Sequence, residues 1–263
     1  MSRNEILKIA ISFLFIFLIS GCTVKPIADA ESIGGDDLNS INEVPDANIT
    51  KDDSFESVEF ETEDGYKIVG NFWKGNEKAV VLLHQFQTNK DTYLNLGKKL
   101  NDANFTVIAI DFRGHGESVW KNGEKIPYAN FSDADFVKMI LDVKAVKKFL
   151  LQEGHTLYAI VGASIGANTA LNYADLDTGV KKVVLLSPGM EYKGIQTESS
   201  AKSVDANVLI IASEEDTYSY GSSKALDEFI KNSEFRGLRN VGHGTQIFTG
   251  TRQEDRIVDW LLG

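Results

Sequence analysis

Ser164 stands in Gly162-Ala163-Ser164-Ile165-Gly166, a G-x-S-x-G pentapeptide that follows the apolar run Leu157–Gly162 and opens a helical segment. A serine hydroxyl attacks a carbonyl only when a base takes its proton, so the pentapeptide needs a histidine and an acid elsewhere in the chain. In a strand-to-helix turn this sharp, small neighbours let the serine take a strained backbone that lifts Oγ above a sheet. The bare pattern is weak; its place between a strand and a helix gives it meaning. Four histidines are available: His84 ends one apolar run, His115 sits in Arg113-Gly114-His115-Gly116, His155 precedes a run, and His243 lies in Gly242-His243-Gly244. The acids cluster in Ser213-Glu214-Glu215-Asp216. Asp216 fits a small-x-x-Asp spacing, with Glu215 and Glu214 as alternatives. Its work would be to accept the second ring N–H of the base, fixing its tautomer and stabilising the imidazolium.

Acyl transfer through serine also needs two backbone N–H groups aimed at the developing oxyanion. Ile165, directly after the serine, is expected to supply one. The loop His84-Gln85-Phe86-Gln87 is expected to supply the other through Phe86, with His84 as structural support. His115 and His155 read as structural or solvent-facing. The histidines lack His-x-x-x-His spacing and no glycine-rich phosphate loop follows a strand, so no metal and no cofactor are expected.

These residues need a frame. Strand-like runs occupy Ser57–Thr62, Lys67–Trp73, Ala79–His84, Thr106–Phe112, Leu157–Gly162, Lys182–Ser187, Asn207–Ala212 and Arg236–Val241. The first two flank Glu63-Asp64-Gly65, a hairpin signal. The middle ones are nearly continuous apolar runs, as in parallel strands buried on both faces. Helical segments are expected at Thr92–Asn101, Ala134–Glu153, Ser164–Asp175, Ser222–Asn232 and Gln253–Leu262, with Ser132 and Asp133 as capping candidates. A hairpin followed by βαβ units implies a mostly parallel, twisted sheet with helices on both sides. Ligands then bind outside the carboxyl ends of the strands, where the serine, the acids and His243 fall.

The stretches HQF (84–86), DFRGHGES (111–118), GASIG (162–166), LLSPG (185–189), SEED (213–216) and GHG (242–244) together resemble the α/β-hydrolase superfamily over about residues 55–263. The nearest likeness is to compact bacterial esterases and dienelactone-hydrolase-like proteins. The resemblance implies an α/β-hydrolase fold with an eight-stranded, mostly parallel sheet and minimal or no cap. It also implies the chain order nucleophile, acid, histidine, which selects Ser164, Asp216 and His243. DFRGHGES resembles an Asp-x-Arg-Gly-x-Gly-x-Ser turn whose role is architectural. Many relatives carry His-Gly-Phe where this chain has His84-Gln85-Phe86. Gln85 either reshapes that loop or lends its amide to substrate. Dienelactone hydrolases proper use cysteine and dehalogenases use aspartate, so neither activity is implied; the ordered triad on a matching fold implies hydrolysis of a small-molecule carboxylic ester or thioester through an acyl-serine. An acyltransferase or peptidase with the same triad, or a ligand-binding lipoprotein without chemistry, are the alternatives. The segment 189–206 is the sole insertion between the serine and the acid, too short for a helical cap, and 119–131 is the other candidate cover. An open site favours small or extended soluble esters.

The N-terminus reads as an address. Arg3 and Lys8 precede an apolar run, Ile9–Ile19, too short for a comfortable membrane span. It ends in Leu18-Ile19-Ser20-Gly21-Cys22, which resembles a bacterial lipobox, with Cys22 as the lipidated residue and 1–22 as a lipoprotein signal peptide. An ordinary signal peptide with a chance cysteine is the alternative. Cys22 is the single cysteine, which excludes an intramolecular disulfide. In residues 23–54 two lysines face eight carboxylates, with no aromatic residue. Such a stretch buries too little apolar surface to offset its ordering entropy and reads as a flexible acidic tether, with a reach of about 30 Å. The expected location is the cell envelope, lipid-anchored on the extracytoplasmic side, as a monomer. A net charge of −11 excludes nucleic acid as a partner.

Overall fold

The computed structural model describes residues 55–263. The signal segment, Cys22 and the acidic tether lie outside the described residues. Eight main strands run β1 (Glu56–Glu61), β2 (Tyr66–Trp73), β3 (Lys78–Leu83), β4 (Thr106–Ile110), β5 (Thr156–Ala163), β6 (Lys182–Leu186), β7 (Asn207–Ser213) and β8 (Ser233–Leu238). They lie in the order β8-β7-β6-β5-β3-β4-β2, with β1 antiparallel on β2. From β3 to β8 every pairing is parallel. Two further two-residue strands, Trp120–Lys121 and Glu124–Lys125, extend the sheet beyond β2 to ten strands in place of the eight expected.

The parallel strands pack on both faces, which explains their unbroken apolar runs. Val81 and Leu83 of β3 face one core while Val80 and Leu82 face the other, and all four are fully buried. Each such side chain contributes about 1.5–3 kcal/mol relative to exposure. The helices are α1 (Leu94–Asp102), α2 (Asp133–Val137), α3 (Ile140–Gln152), α4 (Ile165–Leu176), α5 (Glu198–Ser203), α6 (Thr217–Phe229) and α7 (Gln253–Leu262). Leu96 and Leu100 of α1 join Ile257 and Leu261 of α7 on one face. Val143 and Val146 of α3, Ala170 and Leu171 of α4 and Leu226 of α6 fill the other.

Three element boundaries differ from expectation for identifiable reasons. The single helix expected over 134–153 is broken between α2 and α3. Ser132 and Asp135 close a capping box on α2, and short-range bonds such as Leu141 N–H to Lys138 O then take over. This turns both Met139 and Asp142 inward. Helix α6 starts at Thr217, five residues early, because Asp216 occupies its N-cap position while its first turns are polar and hide the apolar period. Strand β8 ends at Leu238, not Val241, because Asn240 takes a left-handed φ of 54°. The N–H groups of Asn240 and Val241 then turn to Glu215 Oε2 (2.7 Å) and Ser213 Oγ (3.2 Å).

The chain runs from β3 to β4 in one direction and from β5 to β8 in the other. The carboxyl ends of adjacent β3 and β5 therefore flank the crevice where the strand order reverses.

Candidate active site

At the end of β5 the chain turns directly into α4 through Ser164, whose backbone takes φ 53° and ψ −117°. Its N–H is held by Leu186 O at 2.8 Å, tying the turn to the end of β6. The glycines on either side are required by contact. A Cβ on Gly162 would collide with the Gly166 carbonyl and come to 2.7 Å from Ala167 N. One on Gly166 would collide with the Leu83 carbonyl and reach 2.7 Å from the His84 carbonyl oxygen. Ser164 is consequently almost buried yet lines a pocket of about 270 Å³, shared with Gln85, Phe86, Ile165, Tyr192, Lys193 and His243.

Asp216 follows β7 and His243 follows β8. Asp216 Oδ2 lies 2.6 Å from His243 Nδ1. Burial raises the Asp216 pKa, but hydrogen bonds from Ser219 and His243 outweigh it and hold the carboxyl below its ordinary value. The neighbouring acids are engaged elsewhere. Glu214 accepts from Arg239 Nε at 2.9 Å, and Glu215 accepts from Asn240 N and Ser213 Oγ, which fixes the turn before His243. The His243 loop is pinned twice more. Gly244 N–H donates to Ser187 Oγ at 2.9 Å, and Thr245 N–H donates to Gln85 Oε1 at 2.7 Å. The Gln85 amide oxygen thus staples the loop after β3 to the loop after β8.

The two residues expected to offer backbone N–H groups, Phe86 and Ile165, line the pocket with Ser164. Ile165 is the first residue of α4, where an N–H has no intrahelical partner. Phe86 N–H has no protein acceptor among the described residues. The Phe86 loop is braced by aromatic edges from His115 (5.8 Å), Tyr128 (5.2 Å) and Phe136 (5.6 Å).

His84 is fully buried. Its Nδ1–H donates to Gln85 O at 2.7 Å while Nε2 accepts from Phe112 N–H at 3.0 Å. Both nitrogens are spent on backbone, and burial pushes its pKa down to about 3, so it supports the loop as a neutral ring. His115 is buried, with Nδ1 on Arg113 O at 3.0 Å. His155 bonds to Asn76 O at 3.0 Å, away from the pocket.

The DFRGHGES turn is a hub of satisfied charge. Asp111 accepts from Lys90 N (2.7 Å), Lys90 Nζ (2.9 Å) and Glu117 N (2.8 Å). Buried Arg113 bridges Asp142 and Asp64 and lies over the Tyr66 ring. None of these groups lines the pocket.

Of the two segments considered as covers, only 189–206 reaches the pocket. Glu191–Tyr192 and Ile195–Gln196 pair as a hairpin whose tip brings Tyr192 and Lys193 to the pocket wall. The Tyr192 hydroxyl faces Ser164, which also acts on its titration, and lies 2.8 Å from Ser219 Oγ. Burial, the largest influence, pushes this phenol up to about 12, so it stays a hydrogen-bond donor. Sequence reasoning missed Tyr192, Lys193, Ser187 and Ser219; the sole local signal was a Lys-Gly pair between two short runs. The 119–131 loop places Tyr128 beside Phe86 and stays outside the pocket wall. Among the described residues no group of three or more His, Cys, Asp or Glu is placed to hold a metal ion.

The parallel sheet, the strained serine turn at its centre and the Asp–His pair at the ends of successive strands define an α/β-hydrolase. Residues 74–206 match the family described as serine aminopeptidase, S33, and the chain belongs to that family. An uncharacterized protein of Mycobacterium tuberculosis is 30% identical over 134 residues, covering 51% of this chain and 35% of that protein. A Bacillus subtilis carboxylesterase is 32% identical over 97 residues, covering 36% of this chain and 35% of its own length. The match thus spans about a third of the curated relatives. Among solved structures, an esterase from Exiguobacterium antarcticum superposes with a TM-score of 0.63 at 15% identity, over 79% of this chain and 100% of that one. The Pyrococcus furiosus esterase does so with a TM-score of 0.61 at 20% identity, over 79% and 90%. At these identities the two structures share the fold with this chain.

Proposed function

We propose that the chain is a serine esterase. It hydrolyses a small carboxylic ester or thioester through an acyl-Ser164 intermediate, with His243 as general base and Asp216 as the carboxylate that orients it. The observation that carries this reading is the convergence of the Ser164 turn and the Asp216–His243 pair on one pocket. His243 takes the Ser164 proton as Oγ attacks the carbonyl carbon and later returns it to the leaving oxygen. Asp216 holds Nδ1 protonated, so Nε2 is free to act as base. The backbone N–H groups of Phe86 and Ile165 receive the oxyanion of each tetrahedral intermediate. Water then repeats the attack on the acyl-enzyme through the same base.

An ester fits the pocket better than the free amino terminus of a peptide. An aminopeptidase needs a carboxylate to receive the substrate ammonium, and none lines this pocket, whose charged lining residue is Lys193. We also propose that the domain is anchored through lipidated Cys22 on the extracytoplasmic side of a membrane and acts there as a monomer. Among the described residues no helix is long and apolar enough to cross a membrane.

The test is a fluorophosphonate probe and a short p-nitrophenyl ester panel on the purified chain and its Ser164→Ala variant. Labelling and turnover that vanish together in the variant are the expected result. A folded wild-type protein that neither labels nor turns over any ester would sink the reading and favour a ligand-binding role for the same pocket.

A further inference from the structure

Lys193 takes no part in the chemistry above, yet its ammonium sits at the pocket. Nζ lies 5.2 Å from the centroid of the Phe86 ring and 5.8 Å from that of Phe136. The charge is thereby held over ring faces, beside the residue whose N–H is assigned to the oxyanion.

The tip that carries it is fixed from three sides. Lys193 and Gly194 form the hairpin turn at φ 50° and 78°. Tyr192 is tied to Ser219 on α6, and Tyr218 OH donates to Glu191 O at 2.8 Å. On the far side Gly194 approaches α2 so closely that an added Cβ would stand 3.1 Å from Asp133 Cβ. Two of the nearby carboxylates are engaged by other groups. Glu191 Oε1 accepts from Gly194 N–H at 3.0 Å, and Asp216 is engaged by His243 and Ser219. Asp133, although close to Gly194, makes no ion pair with Lys193, and among the described residues no carboxylate does. A protein of net charge −11 thus presents to its pocket an ammonium with no carboxylate partner, next to otherwise apolar and neutral walls.

We propose that Lys193 is a specificity-determining residue that selects esters bearing a carboxylate a few bonds from the scissile carbonyl, such as half-esters of small dicarboxylic acids. The inference rests on the Ser164 esterase reading and names its substrate class. The ester carbonyl sits at the Phe86 and Ile165 N–H groups, and the far carboxylate pairs with Lys193 Nζ. A single ammonium suits a monovalent carboxylate, and a pocket of about 270 Å³ limits the group to a short chain. The field of an acidic protein repels such a substrate at long range, so a local cation is what makes binding favourable.

The test compares kcat/KM for p-nitrophenyl hemiglutarate with that for uncharged p-nitrophenyl valerate, using the full chain as wild type, Lys193→Met and Lys193→Arg. The wild type should favour the hemiglutarate. The hemiglutarate-to-valerate ratio should fall about two- to fivefold in Lys193→Met, as expected for one charge pair at a solvent-exposed ammonium, and be largely retained in Lys193→Arg. A wild type that favours valerate, or a ratio unmoved in Lys193→Met, overturns the proposal. Fluorophosphonate labelling run alongside separates the two readings. A labelled enzyme with turnover but no charge preference removes this inference alone, whereas no label and no turnover of either ester removes the esterase reading and this inference with it.

Discussion

The chain uses the tripeptide Gly-His-Gly twice, at 114–116 and 242–244, with opposite outcomes. In both copies the glycines take left-handed φ, 75° and 48° in the first and 78° and 60° in the second, wrapping the chain around an imidazole. His115 is 1% exposed, stacks on Tyr128 at 4.4 Å and turns Nδ1 to a backbone carbonyl. Burial lowers its pKa, and its buried Nε2 has no hydrogen-bond partner. The side chain of His243 is 35% exposed and turns Nδ1 to the Asp216 carboxylate. A carbonyl fixes a tautomer but cannot offset the charge of an imidazolium; a carboxylate does both. The tripeptide shapes the loop, and the group opposite Nδ1 decides whether the ring can act as a base.

This contrast can be broken at several points. Removing the ring in His243→Ala should lower kcat by about 10⁴-fold or more in steady-state ester assays while leaving the circular dichroism unchanged. Asp216→Asn should cost about 10³-fold in kcat, because an amide opposite Nδ1 gives His243 the uncharged setting of His115. The first loop should fail in stability instead. Arg113→Met leaves fully buried Asp142 without its partner and should lower unfolding free energy by about 3 kcal/mol in urea titrations. Activity per folded molecule should stay close to wild type. Gln85→Gly removes the staple to Thr245 and should reduce kcat/KM about tenfold by loosening the His243 loop. His115→Phe should change kcat/KM by less than about twofold and cost no more than about 1 kcal/mol.

The parts legible in the sequence share a physical cause, which is that they are local. Runs such as AVVLL and KVVLL read as parallel strands because both faces are buried, and the serine turn reads from glycines that backbone contact demands. Asp216 and His243 are not local in this sense: the chain order that the α/β-hydrolase resemblance implies selects them, and the structure sets the carboxylate 2.6 Å from the imidazole. What stayed hidden depends on partners distant in sequence. Gln85 could be read as loop former or substrate ligand, and the group that takes up its amide oxygen, Thr245, is 160 residues away. The end of β8 is set by acceptors from the loop after β7. The 191–196 hairpin has two-residue strands, too short for any alternation, and a Lys-Gly turn that lacks the usual Asn-Gly signal.

The glycines flanking Ser164 set a clearance. With backbone packed on backbone from Gly162 to Gly166 and from Gly166 to the end of β3, the seating of α4 against the sheet has an assembly tolerance smaller than one methyl group. The dimension on which acyl chemistry would depend is therefore gauged by atoms common to every residue, and side-chain truncation cannot reach it. Only an added carbon can, acting as a shim that drives α4 off the sheet.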